Sequence, residues 1–145
     1  MNETDLFEPA KLYASGIDRR KFDRLRALFT PAATLVVGAR EDGGAPNFVL
    51  EGIDQIEASM QVLNTYDSTF HQLGQQRIVA REGNEVLTET YCTAHHFHDK
   101  NGAPECFTMY IRYLDTLTEE AGTWRFVKRE LYVDAEQGMP AESFI

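Results

Sequence analysis

Two cysteines, one tryptophan and five prolines are all that 145 residues contain of these types, and each scarcity closes off a class of protein. A chain this poor in cysteine is not a disulfide-stapled scaffold. With so little proline and no glycine- or serine-rich run, it offers no linker, low-complexity segment or internal repeat. No stretch approaches the roughly 18 consecutive apolar residues of a membrane span, and the polar amino terminus is not that of a secretory signal. A cytoplasmic location is therefore expected. Cations are scarce too: 14 Lys and Arg against 23 Asp and Glu give a formal charge of −9. That balance argues against nucleic acid or an anionic membrane as partner, because phosphate contacts need clustered positive charge.

What is present is the make-up of one folded domain over residues 1–145, with 43% hydrophobic and 11% aromatic residues, long enough to bury a core unaided. From Pro9, a residue suited to a first helical turn, Ala10, Tyr13, Ala14 and Ile17 recur at helical spacing, with Gly16 weakening the end. Phe22, Leu25, Leu28 and Phe29 predict a second helix, stopped by Thr30-Pro31. Asp18 lies at the hinge between the two. A short strand is expected over 33–38, a loop over 39–47, and a helix after Gly52 on Ile53, Ile56, Met60 and Leu63.

From Ser68 the character changes to long strands, expected over 69–81, 85–98, 105–117 and 123–133. They are joined by short turns such as Asn101-Gly102, which calls for a mostly antiparallel sheet. Helices first and a bent sheet second define an α+β arrangement. A two-residue Asn-Gly turn pairs Lys100 with Ala103, and hence Cys92 with Ile111 and Cys106 with Phe97. The sulfurs are then several residues apart, so free thiols are expected. The same register gathers Thr90, Cys92, Ala94 and His96 with Phe107, Met109, Ile111 and Tyr113 on one mainly apolar face, the composition of a core or ligand pocket. The opposite face, with Tyr91, His95 and Tyr110, is amphipathic and suits a subunit interface, so a homodimer or higher homo-oligomer is expected.

Three stretches, Tyr13 to Phe29 around Asp18, Thr69-Phe-His71-Gln-Leu-Gly74, and Gly122-Thr-Trp124-Arg-Phe-Val-Lys-Arg129, together with this element order, resemble the SnoaL-like branch of the nuclear-transport-factor-2-like superfamily. The resemblance implies a cone: a curved sheet wrapped around N-terminal helices, with an internal pocket. It is sharpest to the scytalone dehydratase and hexachlorocyclohexane dehydrochlorinase type. There, an aspartate at the end of the first helix holds a strand histidine that takes a proton, and these residues fall at Asp18 and His71. A second pocket histidine of scytalone dehydratase falls at His96. Its pocket serine and asparagine fall at Phe107 and Met109, and a polarising tyrosine at Ile17. These departures imply a more apolar ligand than scytalone.

The chemistry of such a pair is that of a general base. Imidazole titrates near neutrality, and a carboxylate on one ring nitrogen orients it and stabilises the imidazolium. Against this stand two bland readings, Asp18 as the N-cap of the second helix and His71 as a structural strand residue. His95-His96-Phe97-His98 does not supply the three or four converging ligands of a metal site, so neither metal nor other cofactor is called for. His96, as a polar contact or proton donor, joins Tyr13, Phe107, Met109, Tyr113, Thr90 and Arg129 as the substrate-binding candidates. Arg129 would bind an anionic or carbonyl group, or pair with a carboxylate. The expected function is a cofactor-free dehydratase-type lyase, or an isomerase, acting on a small hydrophobic, cyclic molecule. The alternatives are a non-catalytic small-molecule-binding or assembly module and a polyketide-cyclase-like enzyme.

Overall fold

A computed structural model describes residues 3–142. A short helix α1 (Glu3–Leu6) precedes α2 (Glu8–Asp18), which carries Pro9 in its first turn and buries Ala10, Tyr13, Ala14 and Ile17 along one stripe. That stripe is the helical periodicity of the sequence turned toward the sheet. Gly16 belongs to the packing: a Cβ there would stand 2.6 Å from Leu25 Cδ2.

The second helix is shorter than its apolar spacing predicts. It covers only α3 (Phe22–Leu25), followed by a 3₁₀ turn over Arg26–Leu28. Phe29 already opens strand β1 (Phe29–Val37), where it pairs with Phe126 in parallel. Pro31 does not stop the chain; it lies in an irregular stretch between residues 29 and 34, where a missing N–H costs the ladder nothing. A second strand, β2 (Phe48–Glu51), was not expected; it is a four-residue edge strand beside β1. Then come α4 (Ile53–Ser59) and a 3₁₀ segment, Met60–Thr65.

The four long strands are β3 (Ser68–Glu82), β4 (Glu85–Lys100), β5 (Ala103–Glu120) and β6 (Thr123–Pro140). They complete one six-stranded sheet in the order β2-β1-β6-β5-β4-β3, antiparallel except for β1–β6. The turn between β4 and β5 has Asn101 and Gly102 both at positive φ, and the register that follows pairs Lys100 with Ala103, Cys92 with Ile111, and Phe97 with Cys106, as expected. Cys92 and Cys106 thus lie on opposite faces, and both thiols are free. The ends of the strands exceed the sequence expectation, most of all in β6. Its polar stretch after Val133 is held extended by pairing with the start of β5. Register shifts between Leu73 and Gln76 and between Ile78 and Ala80 in β3, and opposite Tyr110/Ile111 and Thr116/Leu117 of β5, where β6 carries the extra residues Asp134 and Val127, bend the sheet. The α+β result is the cone expected, a curved sheet closing on the N-terminal helices.

At the base of the cone a charged pair is buried among aromatic rings. Arg129 and Asp115 are cross-strand partners with essentially no solvent exposure, Nε lying 3.0 Å from Oδ1. The guanidinium lies 3.6 Å from the ring centroid of Tyr113, 4.3 Å from that of Tyr13 and 4.7 Å from that of Phe126. Its Nη atoms meet ring faces rather than hydrogen-bond acceptors. Burial pushes the Asp115 carboxyl up to about 6 although the arginine pulls it down. Each charge is tolerable only because of the other. Arg129→Met should therefore cost about 3–5 kcal/mol in a urea unfolding titration, and Arg129→Met/Asp115→Leu should recover most of that loss.

Candidate active site

Asp18 is the last residue of α2. It does not cap the next helix: the residue before α3 is Lys21, and that end has no side-chain cap. Its carboxylate instead reaches the start of β3, where alternation puts Thr69 and His71 on the inner face. Asp18 Oδ1 lies 2.7 Å from His71 Nδ1, the Thr69 hydroxyl donates to Oδ1 at 3.0 Å, and the His71 backbone N–H donates to Oδ2 at 2.8 Å. A carboxylate only accepts, so His71 Nδ1 carries a hydrogen, and in the neutral imidazole Nε2 then keeps its lone pair. The His71 side chain is 7% exposed and lines the cavity.

That cavity has a volume of about 240 Å³ and is walled mainly by apolar side chains from α2, the sheet and the 3₁₀ segment. It is at the small end for ligand sites, which run from about 300 to 1,000 Å³. A larger groove of about 470 Å³ on the outer sheet face, beside Gly74 and Tyr91, holds neither Asp18 nor His71. Tyr13, His96, Met109 and Tyr113 line the inner cavity together with His71. Three candidates do not. Phe107 stands behind His96, its ring centroid 5.8 Å away. Thr90 is buried, and its hydroxyl accepts from Gln76 at 3.3 Å. Arg129 lies beneath Tyr13 and Tyr113, committed to Asp115.

His96 is oriented by the strand beside it. Its Nδ1 lies 3.1 Å from the Phe107 carbonyl, which can only accept, so Nδ1 donates and Nε2 is bare. Burial holds its pKa below the ordinary histidine value, with the nearby His71 pushing the same way. The two histidine rings are 5.9 Å apart, centroid to centroid. In its neutral state His96 therefore presents an acceptor, whereas the sequence left it as a polar contact or proton donor. Burial raises the pKa of Tyr13 and Tyr113, keeping both phenols protonated, and lifts the Cys92 thiol to about 11, which leaves it inert.

Sequence reasoning did not single out Thr69, Arg20 or Tyr66. Tyr66 lines the cavity and packs against His96 at 4.9 Å. Thr69 was accessible in principle, since it shares the face of His71 two residues on. Tyr66 and Arg20 depend on contacts across the fold that no local spacing announces.

The fold and the cavity define a cone-shaped α+β domain with a cavity between the sheet and the N-terminal helix. The sequence pattern of the SnoaL-like domain matches residues 4–130, and the chain belongs to that family. No curated protein matches it. Among solved structures it is similar to a candidate scytalone dehydratase from Novosphingobium aromaticivorans (23% identity, TM-score 0.78, covering 93% of this chain and 86% of that one). It is also similar to a type 2 hexachlorocyclohexane dehydrochlorinase (15%, 0.74, 98% and 89%) and to ActVI-ORFA of Streptomyces coelicolor (15%, 0.71, 91% and 96%). At these identities the likeness establishes the shared fold.

The assignment of His96 is open to direct measurement. In a ¹⁵N NMR titration, His96 should show the Nδ1–H tautomer and a midpoint below 6.5. The folded state then binds fewer protons there than the unfolded chain, so the His96 contribution to stability is lost as pH falls below 6.5.

Proposed function

We propose that this single SnoaL-like domain, residues 1–145, is a cofactor-free lyase of the dehydratase type, or an isomerase, acting on a small hydrophobic, cyclic molecule. The observation that carries the reading is the 2.7 Å contact between Asp18 and His71 Nδ1, with His71 bordering an apolar cavity. His71 Nε2 takes a proton from a carbon of the substrate. The electron pair left behind forms a double bond as a neighbouring group departs, or shifts an existing double bond when the carbon skeleton is reprotonated. Asp18 orients the ring and stabilises the imidazolium, aided by the carbonyl-rich end of α2. His96 Nε2 accepts a hydrogen bond from a hydroxyl of the ligand, while Tyr13 and Tyr113 supply phenolic edges to an otherwise apolar wall. Met109 packs against the ligand's hydrocarbon. Phe107, Thr90 and Arg129 act behind the wall, shaping it. A polyketide-cyclase-like ring closure would use the same base on a longer chain.

The test is a panel of cyclic hydroxy-ketones and halocyclohexanes offered to the wild type, His71→Ala and Asp18→Asn. General-base catalysis is worth about 10²–10⁴-fold, so both variants should fold and lose turnover by that order. Equal turnover in all three sinks the base, whereas no turnover by the wild type across the panel leaves a non-catalytic binding or assembly module as the reading.

No helix among the described residues is long and apolar enough to cross a membrane. Free buried cysteines on opposite sheet faces fit a reducing cytoplasm. We also infer a homo-oligomer formed through the outer sheet face, where Phe70, Tyr91, Tyr110 and Met139 are exposed. Sedimentation should give at least a dimer mass, and Phe70→Lys/Met139→Lys should shift it to a monomer.

A further inference from the structure

The end of α2 contains a residue that helix chemistry does not favour. Lys21 N–H bonds to Gly16 O at 2.8 Å and Arg20 N–H to Ile17 O at 3.1 Å, with Arg20 at φ 59°. This is the Schellman ending, and its left-handed position is ordinarily glycine. An L-residue there is strained, so the side chain needs a reason to be present.

The guanidinium provides one. Nη1 donates to Ile17 O at 2.7 Å and to Thr69 Oγ1 at 2.8 Å, and Nη2 donates to Leu63 O at 2.9 Å. A guanidinium has no acceptor and a carboxylate has no donor. The Thr69 hydroxyl between them must therefore accept from Arg20 and turn its single proton toward Asp18 Oδ1, 3.0 Å away. The result is a directed chain, Arg20 to Thr69 to Asp18, meeting the His71 ring from the other side. Free to rotate, that hydroxyl could donate elsewhere; with Arg20 in place it has one direction left. The same guanidinium also holds the 3₁₀ segment whose Met60 and Leu63 line the cavity.

We propose that Arg20 is a positioning residue. Acting through Thr69, it holds the Asp18 carboxylate in the orientation that orders His71, and it ties that orientation to the cavity wall at Leu63. The inference rests on the general-base reading above and adds a residue outside the cavity lining. It predicts that Arg20 acts on His71 without touching substrate.

The experiment needs no substrate. The His71 Nδ1–H proton, buried and hydrogen-bonded, should give a downfield ¹H resonance in ¹⁵N-labelled protein, with a measurable exchange rate with water. Arg20→Gly deletes the side chain while giving the left-handed position its preferred residue, so a folded variant is expected. Thr69→Val removes the hydroxyl at nearly constant shape. Each single variant should shift the resonance and speed its exchange by about tenfold or more, with dispersed amide spectra retained. The double variant should do no more than either single, because the two act in series. Wild-type shift and exchange in Arg20→Gly overturn the proposal, as do effects that add in the double variant. Should Arg20→Gly not fold, unchanged exchange in Thr69→Val alone overturns it. Persistence of the resonance in Asp18→Ala, which removes the acceptor, would instead overturn the Asp18–His71 reading, which keeps the two failures apart.

Discussion

A carboxylate at the C-terminal end of a helix sits against the negative end of the helix dipole, a placement that costs about 0.3–1 kcal/mol before any other contact is made. Asp18 occupies that position, and the site depends on how the cost is met. Three donors converge on it: the Thr69 hydroxyl, the His71 backbone N–H and the His71 ring. Two of them come from one strand residue, so the carboxylate grips both the backbone and the side chain of His71. A ring held at one nitrogen keeps a fixed orientation at the cavity wall. The contacts that offset the aspartate's unfavourable placement are thus the same ones that orient the histidine.

The remainder of the molecule serves to bring those two elements together over an empty space. Helix α2 must cross the open face of the sheet, and it is held there by Tyr13, whose ring shares the Arg129 guanidinium with Tyr113 and Phe126. The sheet in turn must bend, and its register shifts fall in β3 and along the β5–β6 pairing. The inner face then divides into two regions. Below, Arg129, Asp115 and the aromatic rings pack solidly. Above, the side chains of His71, His96 and Met109 face a cavity that the 3₁₀ segment completes. His96 shows how a strand partner sets chemistry: the Phe107 carbonyl claims its Nδ1 and leaves the acceptor nitrogen free.

Much of this was legible from residues alone. Alternation and the Asn101-Gly102 turn give the β4–β5 register residue by residue, because a two-residue turn with both residues at positive φ admits one pairing. That register by itself puts His96, Met109 and Tyr113 on one inner face. The 3.6-residue spacing in α2 likewise identifies Tyr13 and Ile17 as inward. What local pattern misread was the stretch from Phe22 to Thr34. Its helical spacing is real, but parallel pairing of Phe29 with Phe126 extends the chain early. β2 escaped notice because a four-residue edge strand has too few residues to display a period.

The chain's own order of residues decided the α+β class, the long hairpins and the inward faces, since each follows from local stereochemistry or from near-neighbour periodicity; the candidacy of Asp18 and His71 came from the resemblance to the SnoaL-like branch. Only the tertiary structure decided that Asp18 meets His71 rather than capping α3, that Arg129 is spent on Asp115 beneath the cavity floor, and that Arg20 reaches Asp18 through Thr69. These contacts join segments dozens of residues apart, and their geometry is set by how far the sheet bends. A bend accumulates from bulges distributed over several strands, and no single window of sequence contains it.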